Sequence, residues 1–151
     1  MSDFVNFKIA QKLKEKGFDC KYPFAMYDED GDFYPLFTSC DEDEDSKCIF
    51  GKRMYYGYDD FVGDKDAVIA PTISQVLKWL RKEKKIHITA NIYQDESEDA
   101  DGRIVDKWCF WNWNIQSCIS GNFLQEGDGV EYESYESAIF AGIEYATNNL
   151  I

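Results

Sequence analysis

The sequence has little histidine, little positive charge and no long hydrophobic run. It contains one histidine, His87, and 16 lysines and arginines against 29 aspartates and glutamates, for a net charge of −13. Because proteins bind phosphate backbones through clustered lysine and arginine, this balance argues against direct binding of nucleic acid. No hydrophobic run approaches the roughly 20 residues that span a bilayer, so we expect no membrane association.

A secretory signal is not recognisable either. The N-terminal segment has neither a long apolar core nor a small-residue cleavage site. The five cysteines are odd in number, and without a signal they are expected to be reduced thiols, buried or half-buried, rather than disulfides. We therefore expect a cytoplasmic protein.

What the sequence does contain is aromatic residues, at 17% of its 151 residues. Disordered chains combine high charge with few aromatics, so this chain is expected to fold despite its charge. Its length is typical of one domain, which can bury roughly 70% of the unfolded surface. The prediction is a single domain over residues 1–151.

Three segments have the hydrophobic period of amphipathic helices. They are residues 3–16, a segment that begins near Pro71, and a C-terminal segment capped by Ser134. Ser2 or Asp3 is expected to cap the first helix, because serine and aspartate side chains accept hydrogen bonds from the first-turn amides.

Other segments have the pattern of strands. Residues 21–37 predict a hairpin with its turn at Gly31, and a short strand is expected near Phe123. Residues 86–93 and 107–118 alternate with a period of two and are expected to pair across the polar loop between them. The prediction is an α+β fold: a mainly antiparallel sheet with about three helices packed on one face.

Two segments resemble a known group of proteins. APTISQVLKWLRKEKKIHI has an Ala-Pro-Thr helix start with Trp-Leu-Arg near its end and an isoleucine-rich strand, and YESYESAIFAGIEYATNNLI has a Tyr-Glu-Ser helix entry. In these features the chain resembles small proteins of gut bacteria and their phages or mobile elements. The resemblance covers mainly residues 70–93 and 132–151, and it implies no activity, because none is assigned to that group.

Acidic residues concentrate in and before the segment SCDEDEDSKC, residues 39–48. The candidate partner-binding residues are Asp28, Glu29, Asp30, Asp32, Asp41, Glu42, Asp43, Glu44 and Asp45. With residues 95–101, they predict a non-enzymatic protein that contacts a basic or DNA-binding protein. The resemblance implies in addition that it is an accessory protein of a phage or mobile element. A sharper hypothesis is that the carboxylates mimic DNA phosphates. The simpler alternative is that acidity only keeps the protein soluble.

Metal and cofactor sites find little support in the sequence. An EF-hand loop requires glycine at its sixth position, but a loop starting at Asp28 has Phe33 there and one starting at Asp41 has Ser46. The cysteines are too widely spaced for a usual zinc knuckle, and one histidine is available to add. We predict no metal and no cofactor.

A second hypothesis is a small-ligand-binding module. Its polar and aromatic sheet face would consist of His87, Asn91, Trp108, Asn112 and Asn114. The alternative is that these residues form an ordinary solvent-facing strand surface. An enzyme ranks third, since it would require a cysteine beside His87 or a cleft with convergent carboxylates, and no established catalytic motif is present.

Overall fold

The computed structural model describes residues 3–20, 24–36 and 67–151. The chain divides into two compact units, residues 1–72 and 73–151. The described elements are α1 (Phe7–Glu15), β1 (Ala25–Tyr27), β2 (Phe33–Pro35), β3 (Val68–Ile69), α2 (Ile73–Trp79), β4 (Ile86–Glu98), β5 (Ile104–Ser117), β6 (Phe123–Glu126) and α3 (Tyr135–Asn149). These elements confirm the predicted α+β class with antiparallel sheets and three helices. The single-domain organisation stays a prediction.

In the first unit, α1 accompanies a three-stranded antiparallel sheet in the order β2-β1-β3. The predicted start of α1 was wrong: its N-cap is Asn6, whose side chain accepts a hydrogen bond from the Ile9 amide at 2.9 Å. The preceding residues are extended instead, because Phe4 forms an antiparallel bridge with Thr72. Pairing with a distant segment therefore displaces the helix start from residue 3.

The predicted hairpin in the first unit is confirmed for the residues that the structure describes. β1 pairs with β2 from Ala25 opposite Pro35 to Tyr27 opposite Phe33. Gly31 lies in the turn with a φ of 86°, a left-handed conformation that glycine adopts without a Cβ penalty. The tight turn thus follows from the residue at this position.

The second unit begins with a short helix that changes its winding. α2 ends at Trp79 and continues as a π-helical turn over Leu80–Lys84. Lys85 then adopts a left-handed conformation with a φ of 58°, after which β4 begins. Val76 and Leu80 are buried, as the predicted apolar stripe requires. Among the helices in the described part of the chain, none is long and apolar enough to cross a membrane.

The core of the second unit lies between α3 and the antiparallel sheet β4-β5-β6. β4 pairs with β5 so that Ile88 is opposite Ile115 and Ala90 is opposite Trp113. The buried side chains of this layer include Ile88, Trp113, Ile115, Ile139 and Ile143. Ser134 caps α3 as predicted. The apolar faces that alternate along β4 and β5 therefore pack against the apolar stripe of α3.

The loop predicted for the polar segment QDESEDADG, residues 94–102, was wrong in its extent. β4 continues to Glu98 and β5 begins at Ile104, which leaves a short tip between them. Glu96 lies opposite Lys107, and the Lys107 ammonium is 3.1 Å from the Glu96 carboxylate. A strand that buries one face needs apolar residues on that face, so a run of polar residues suggests a loop. Here both faces of the strands are exposed, and polar residues are therefore compatible with a strand.

Candidate functional site

The sheet face opposite α3 bears most of the predicted ligand-binding residues. Because successive strand residues point to opposite faces, burial of Ile88 and Trp113 toward α3 turns their neighbours to the other side. In register, the pairs on that side are His87–Gln116, Thr89–Asn114, Asn91–Asn112 and Tyr93–Phe110. The face therefore combines amide and aromatic groups on adjacent strands, as the alternation predicted.

A pocket of about 350 Å³, termed the sheet pocket below, opens on this face. It is lined by three aromatic side chains, two amides, one carboxylate and one glycine: Tyr93, Phe110, Phe123, Asn112, Asn114, Glu126 and Gly127. Its size is near the lower end of ligand pockets, which run from roughly 300 to 1,000 Å³. A small molecule or a single side chain matches that volume.

Aromatic rings form the apolar lining of the sheet pocket. The rings of Tyr93 and Phe110 are stacked, with centroids 5.7 Å apart and an angle of 18° between their planes. Tyr93 is 44% exposed, and Phe123 is 51% exposed. Large aromatic surfaces are usually buried because water contact is unfavourable. These exposed faces are therefore available to contact a bound group.

Hydrogen bonds hold the wall of the sheet pocket that is formed by Asn112 and the end of β6. The side-chain oxygen of Asn112 accepts from the Trp113 backbone amide at 2.8 Å. The Gln125 side chain donates to the carbonyl oxygen of Gly127 at 2.8 Å and accepts from the Tyr145 hydroxyl at 3.1 Å. Since Tyr145 belongs to α3, these bonds tie the end of β6 to the helix and position the pocket wall.

The charge of the sheet pocket is negative. Glu126 is exposed and lies opposite Asn114 in the pairing of β5 with β6. None of the seven lining residues is lysine or arginine. An anionic group would meet the Glu126 carboxylate without a neighbouring cation from the lining. The arrangement therefore favours neutral hydrogen-bond donors and cations.

The five predicted ligand-binding residues share this face but not one site. Asn112 and Asn114 line the sheet pocket, whereas His87 and Asn91 lie on the same face outside the lining. Trp108 lies farther along β5, where its indole N–H donates to the Glu131 carboxylate at 3.2 Å. The amides are therefore the predicted residues that the structure brings together.

Five lining residues were not predicted as ligand-binding: Tyr93, Phe110, Phe123, Glu126 and Gly127. The alternation of β4 placed Tyr93 on the same face as Asn91, so its position was readable from the sequence. The alternation of β5 placed Phe110 on the same face as Asn112, so its position was readable from the sequence. The other three belong to β6 and its end. Which of their side chains reach the pocket depends on the pairing of β6 with β5, and no local pattern encodes that pairing.

A second feature is a β-hairpin arm, residues 92–109, which extends beyond the part of the sheet covered by α3. Every residue in it is exposed except Ser97, which is half-buried. The arm contains six acidic and two basic residues, which leaves four negative charges. It also exposes apolar side chains, with Ile92 at 60% and Val105 at 62% exposure. Acidic and apolar groups on a two-stranded ribbon form a surface suited to protein contact.

The tip of the arm repeats the turn of the first hairpin. The Asp28 carboxylate accepts from the amides of Asp30 at 3.0 Å and Asp32 at 2.8 Å. The Asp99 carboxylate accepts in the same way from the amides of Asp101 and Arg103, each at 2.9 Å. Both turns have the sequence Asp-x-Asp-Gly, and both first aspartates therefore have a structural role.

The predicted acidic surface divides into two groups. In the first turn, hydrogen bonds from the Asp32 amide and the Tyr34 hydroxyl, at 3.0 Å, keep the pKa of Asp28 below its usual value despite partial desolvation. Glu29, Asp30 and Asp32 are exposed there. The remaining candidates, Asp41, Glu42, Asp43, Glu44 and Asp45, lie outside the described residues.

Cysteines and metal ligands can be placed only in part. Cys109 and Cys118 are exposed, so the expectation that each cysteine is buried or half-buried was wrong for these two. Cys109 lies on the arm, which is exposed on both faces, and Cys118 follows the end of β5. Across residues 3–20, 24–36 and 67–151, no group of three or more histidine, cysteine, aspartate or glutamate side chains could hold a metal ion.

Comparison with known proteins gives no relative: the chain matches no family model, no curated protein and no solved structure. The resemblance to proteins of gut bacteria and their phages or mobile elements stays a prediction. The sheet pocket and the arm are therefore the features from which a function is proposed.

Proposed function

We propose that the protein is a non-enzymatic interaction module whose arm, residues 92–109, binds a basic segment of a protein partner. The observation behind this proposal is that the arm is exposed on both faces and has four net negative charges together with exposed apolar side chains. The predicted role as an accessory protein of a phage or mobile element belongs to the same proposal.

Within the described residues of the second unit, the arm consists of two strands with no third strand or helix packed on it, which favours a role in binding a partner. A two-stranded ribbon is marginally stable in water unless a third strand or a packed helix supports it. Its cross-strand ion pair, Glu96 with Lys107, is exposed on both side chains, and exposed pairs contribute roughly 0–1 kcal/mol. A partner that covers one face would add the missing apolar burial.

The charge of the arm specifies the partner. Asp95 lies opposite Trp108, and Asp106 is two residues before Trp108 on the same face. Acidic groups beside an aromatic side chain favour a partner that is rich in lysine and arginine, through charge pairing and cation–π contact. Nucleic acid is disfavoured because its phosphates would be repelled.

The test is affinity capture followed by reconstitution with the captured protein in purified form. The arm variant neutralises four carboxylates without removing their side chains: Asp95→Asn, Glu96→Gln, Glu98→Gln and Asp106→Asn. The matched control neutralises four exposed carboxylates elsewhere: Glu15→Gln, Asp19→Asn, Glu133→Gln and Glu136→Gln.

We expect the purified partner to have a basic segment, to bind the control variant like the wild type, and to bind the arm variant at least tenfold more weakly. Binding should also weaken as salt rises, because exposed charges are screened. Equal binding of the arm and control variants would contradict the proposal. The DNA-mimicry hypothesis depends on residues 41–45 and has its own test, in which those acids are changed to amides.

Binding of a small ligand is a second candidate function, favoured by the sheet pocket. Aromatic walls with two amides and a carboxylate match the general composition of ligand sites. A thermal-shift screen would test it: the expected result is a ligand that raises Tm of the wild type and raises it less in Asn114→Ala. A ligand response that is equal in both proteins would place binding elsewhere.

A further inference from the structure

The sheet pocket selects for positive charge. Its carboxylate, Glu126, is exposed, and its lining contains no lysine or arginine. A cation placed there forms charge-assisted hydrogen bonds with the carboxylate. The net charge of −13 adds long-range attraction for cations.

The aromatic lining selects for a flat cation. Ring faces carry partial negative charge and attract cations within about 6 Å of their centroids. Tyr93 and Phe110 form one stacked wall, and Phe123 contributes a third ring to the same pocket. A guanidinium group is planar and lies flat on a ring, whereas an ammonium group is compact and strongly hydrated.

The amides supply acceptors for several donors at once. A guanidinium has five N–H donors, and a carbonyl oxygen has two lone pairs. The Asn112 oxygen uses one lone pair for the Trp113 amide, so the other can accept from a ligand. Asn114 and Glu126 provide further oxygens on neighbouring strands. The oxygens of Asn112, Asn114 and Glu126 can together accept several of the five N–H donors of a guanidinium. A neutral aromatic ligand with one or two donors would leave most of these acceptors unused.

We infer that the sheet pocket binds the guanidinium group of an arginine side chain. The inference depends on the proposed function for its source: the arginine belongs to the basic segment that contacts the arm. Within this arrangement Tyr93 and Phe110 stack on the guanidinium plane, and Glu126 and Asn114 accept its hydrogen bonds.

The pocket and the arm are continuous, which supports one partner for both. Tyr93 lines the pocket and also lies at the base of the arm. The next pair on the same face is Asp95 with Trp108, and residues two apart on a strand are separated by roughly 7 Å. A short basic peptide along the arm can therefore place lysines near Asp95 and an arginine in the pocket.

The test uses three synthetic peptides that share three lysines and differ at one following position: arginine, citrulline or lysine. Citrulline has nearly the shape of arginine without its charge. Acetyl-arginine-amide is the fourth probe and represents a free small molecule. Binding is measured by calorimetry, and the site is located from the NMR signals of the Asn112 and Asn114 side-chain amides.

We expect the arginine peptide to bind at least threefold more tightly than the citrulline and lysine peptides and to shift both amide signals. Glu126→Gln should reduce the preference for arginine over citrulline about two- to fivefold, since Glu126 is exposed and its ion pair is partly screened. Glu133→Gln, which removes an exposed charge outside the pocket lining, should leave that preference unchanged.

The outcomes separate this inference from the proposed function. Equal affinity of the arginine and citrulline peptides, with binding still lost in the arm variant, would overturn the pocket inference and leave the arm proposal standing. Acetyl-arginine-amide could also bind as tightly as the arginine peptide, with neither affinity changed in the arm variant. That result would contradict the inference that the arginine belongs to a partner segment that contacts the arm. Smaller shifts of the two amide signals at equal peptide concentration in Glu126→Gln, with an unchanged Tm, would support the inference.

Discussion

Gly127 lies directly against the side chain of Asn112. A Cβ atom at Gly127 would be 2.6 Å from the Asn112 side-chain oxygen and 2.8 Å from its nitrogen. Gly127 also has a φ of 55°, a conformation that residues with a Cβ adopt only rarely. The end of β6 therefore holds the Asn112 amide in the sheet pocket by close contact.

Gly127→Ala is expected to destabilise the protein by roughly 2–3 kcal/mol, through backbone strain and through the clash with Asn112. The measurement is urea unfolding, combined with the NMR signal of the Asn112 amide. Gly121→Ala is the matched control, because Gly121 has a φ of 73° but no atom within 4 Å of a Cβ. It should cost only about 1 kcal/mol and leave the Asn112 signal in place. Equal costs for both variants would contradict a role for the contact.

Gly142→Ala tests the contact between α3 and the sheet. Alanine at an exposed helix position is favoured over glycine by about 1 kcal/mol, but here a Cβ would be 2.8 Å from Cγ2 of Ile88 and 3.4 Å from Cβ of Trp113. Ile88 is β-branched and has little freedom to move away. We therefore expect a loss of roughly 1–3 kcal/mol in the free energy of unfolding.

The Ile88→Ala background supplies the control for that prediction. Removing the side chain of Ile88 creates space at the contact and should itself cost about 2–5 kcal/mol. In that background Gly142→Ala should become neutral or stabilising, which a double-mutant cycle measures. If Gly142→Ala stabilised the protein in the wild-type background, with Ile88 present, α3 would be able to shift away from the sheet without cost, and the prediction would be wrong.

Asp28 gives the first turn a pH-dependent contribution to stability. Its pKa is lowered mainly by the hydrogen bond from the Asp32 amide. Since the folded state has the lower pKa, the contribution is present above the ordinary pKa of aspartate and is lost as pH falls through the lowered value. Unfolding of wild type and Asp28→Asn should therefore differ by a constant amount near neutral pH, with the difference changing only in acid. Glu29→Gln controls for the loss of one charge in the same turn. Parallel pH profiles for wild type and Asp28→Asn would contradict this role.

Ser134 caps α3 through a reciprocal pair of hydrogen bonds. Its side chain accepts from the Ser137 amide at 3.1 Å, and its own amide donates to the Ser137 hydroxyl at 3.3 Å. Ser134→Ala should cost about 1 kcal/mol, as measured by thermal unfolding. Ser134→Asp keeps an acceptor and places negative charge at the helix N-terminus, so it should stay close to wild type. A full loss in both variants would mean that the hydroxyl acts through another contact.

Tyr132 is expected to titrate at unusually high pH. Desolvation and its hydrogen bond to the Asp128 carboxylate, at 2.6 Å, raise the pKa of Tyr132 to about 12. Because the folded value exceeds the unfolded one, the stability from the neutral hydroxyl is full below pH 10 and declines between about pH 10 and 12. The absorbance of tyrosinate should therefore appear later in wild type than in Asp128→Asn. Identical titrations would contradict the role of the Asp128 hydrogen bond.

Local sequence pattern determined most of the elements of the second unit. The alternation of residues 86–93 and 107–118 placed Ile88 and Trp113 on the buried face and Asn112 on the other, because a strand has a fixed period of two. Ser134 likewise predicted the start of α3, since capping involves only neighbouring residues.

Tertiary structure decided what depends on distant partners. The bridge from Phe4 to Thr72 moved the start of α1, and strand pairing at the arm turned an apparent loop into β-structure. The sheet pocket exists because β6 pairs beside β5 and brings Phe123 and Glu126 next to Asn114. The sequence by itself therefore determined the faces of the strands and the cap of α3, which are local, but not the start of α1. Only the folded chain decided which faces meet, because pairing between strands is set by contacts far apart in sequence.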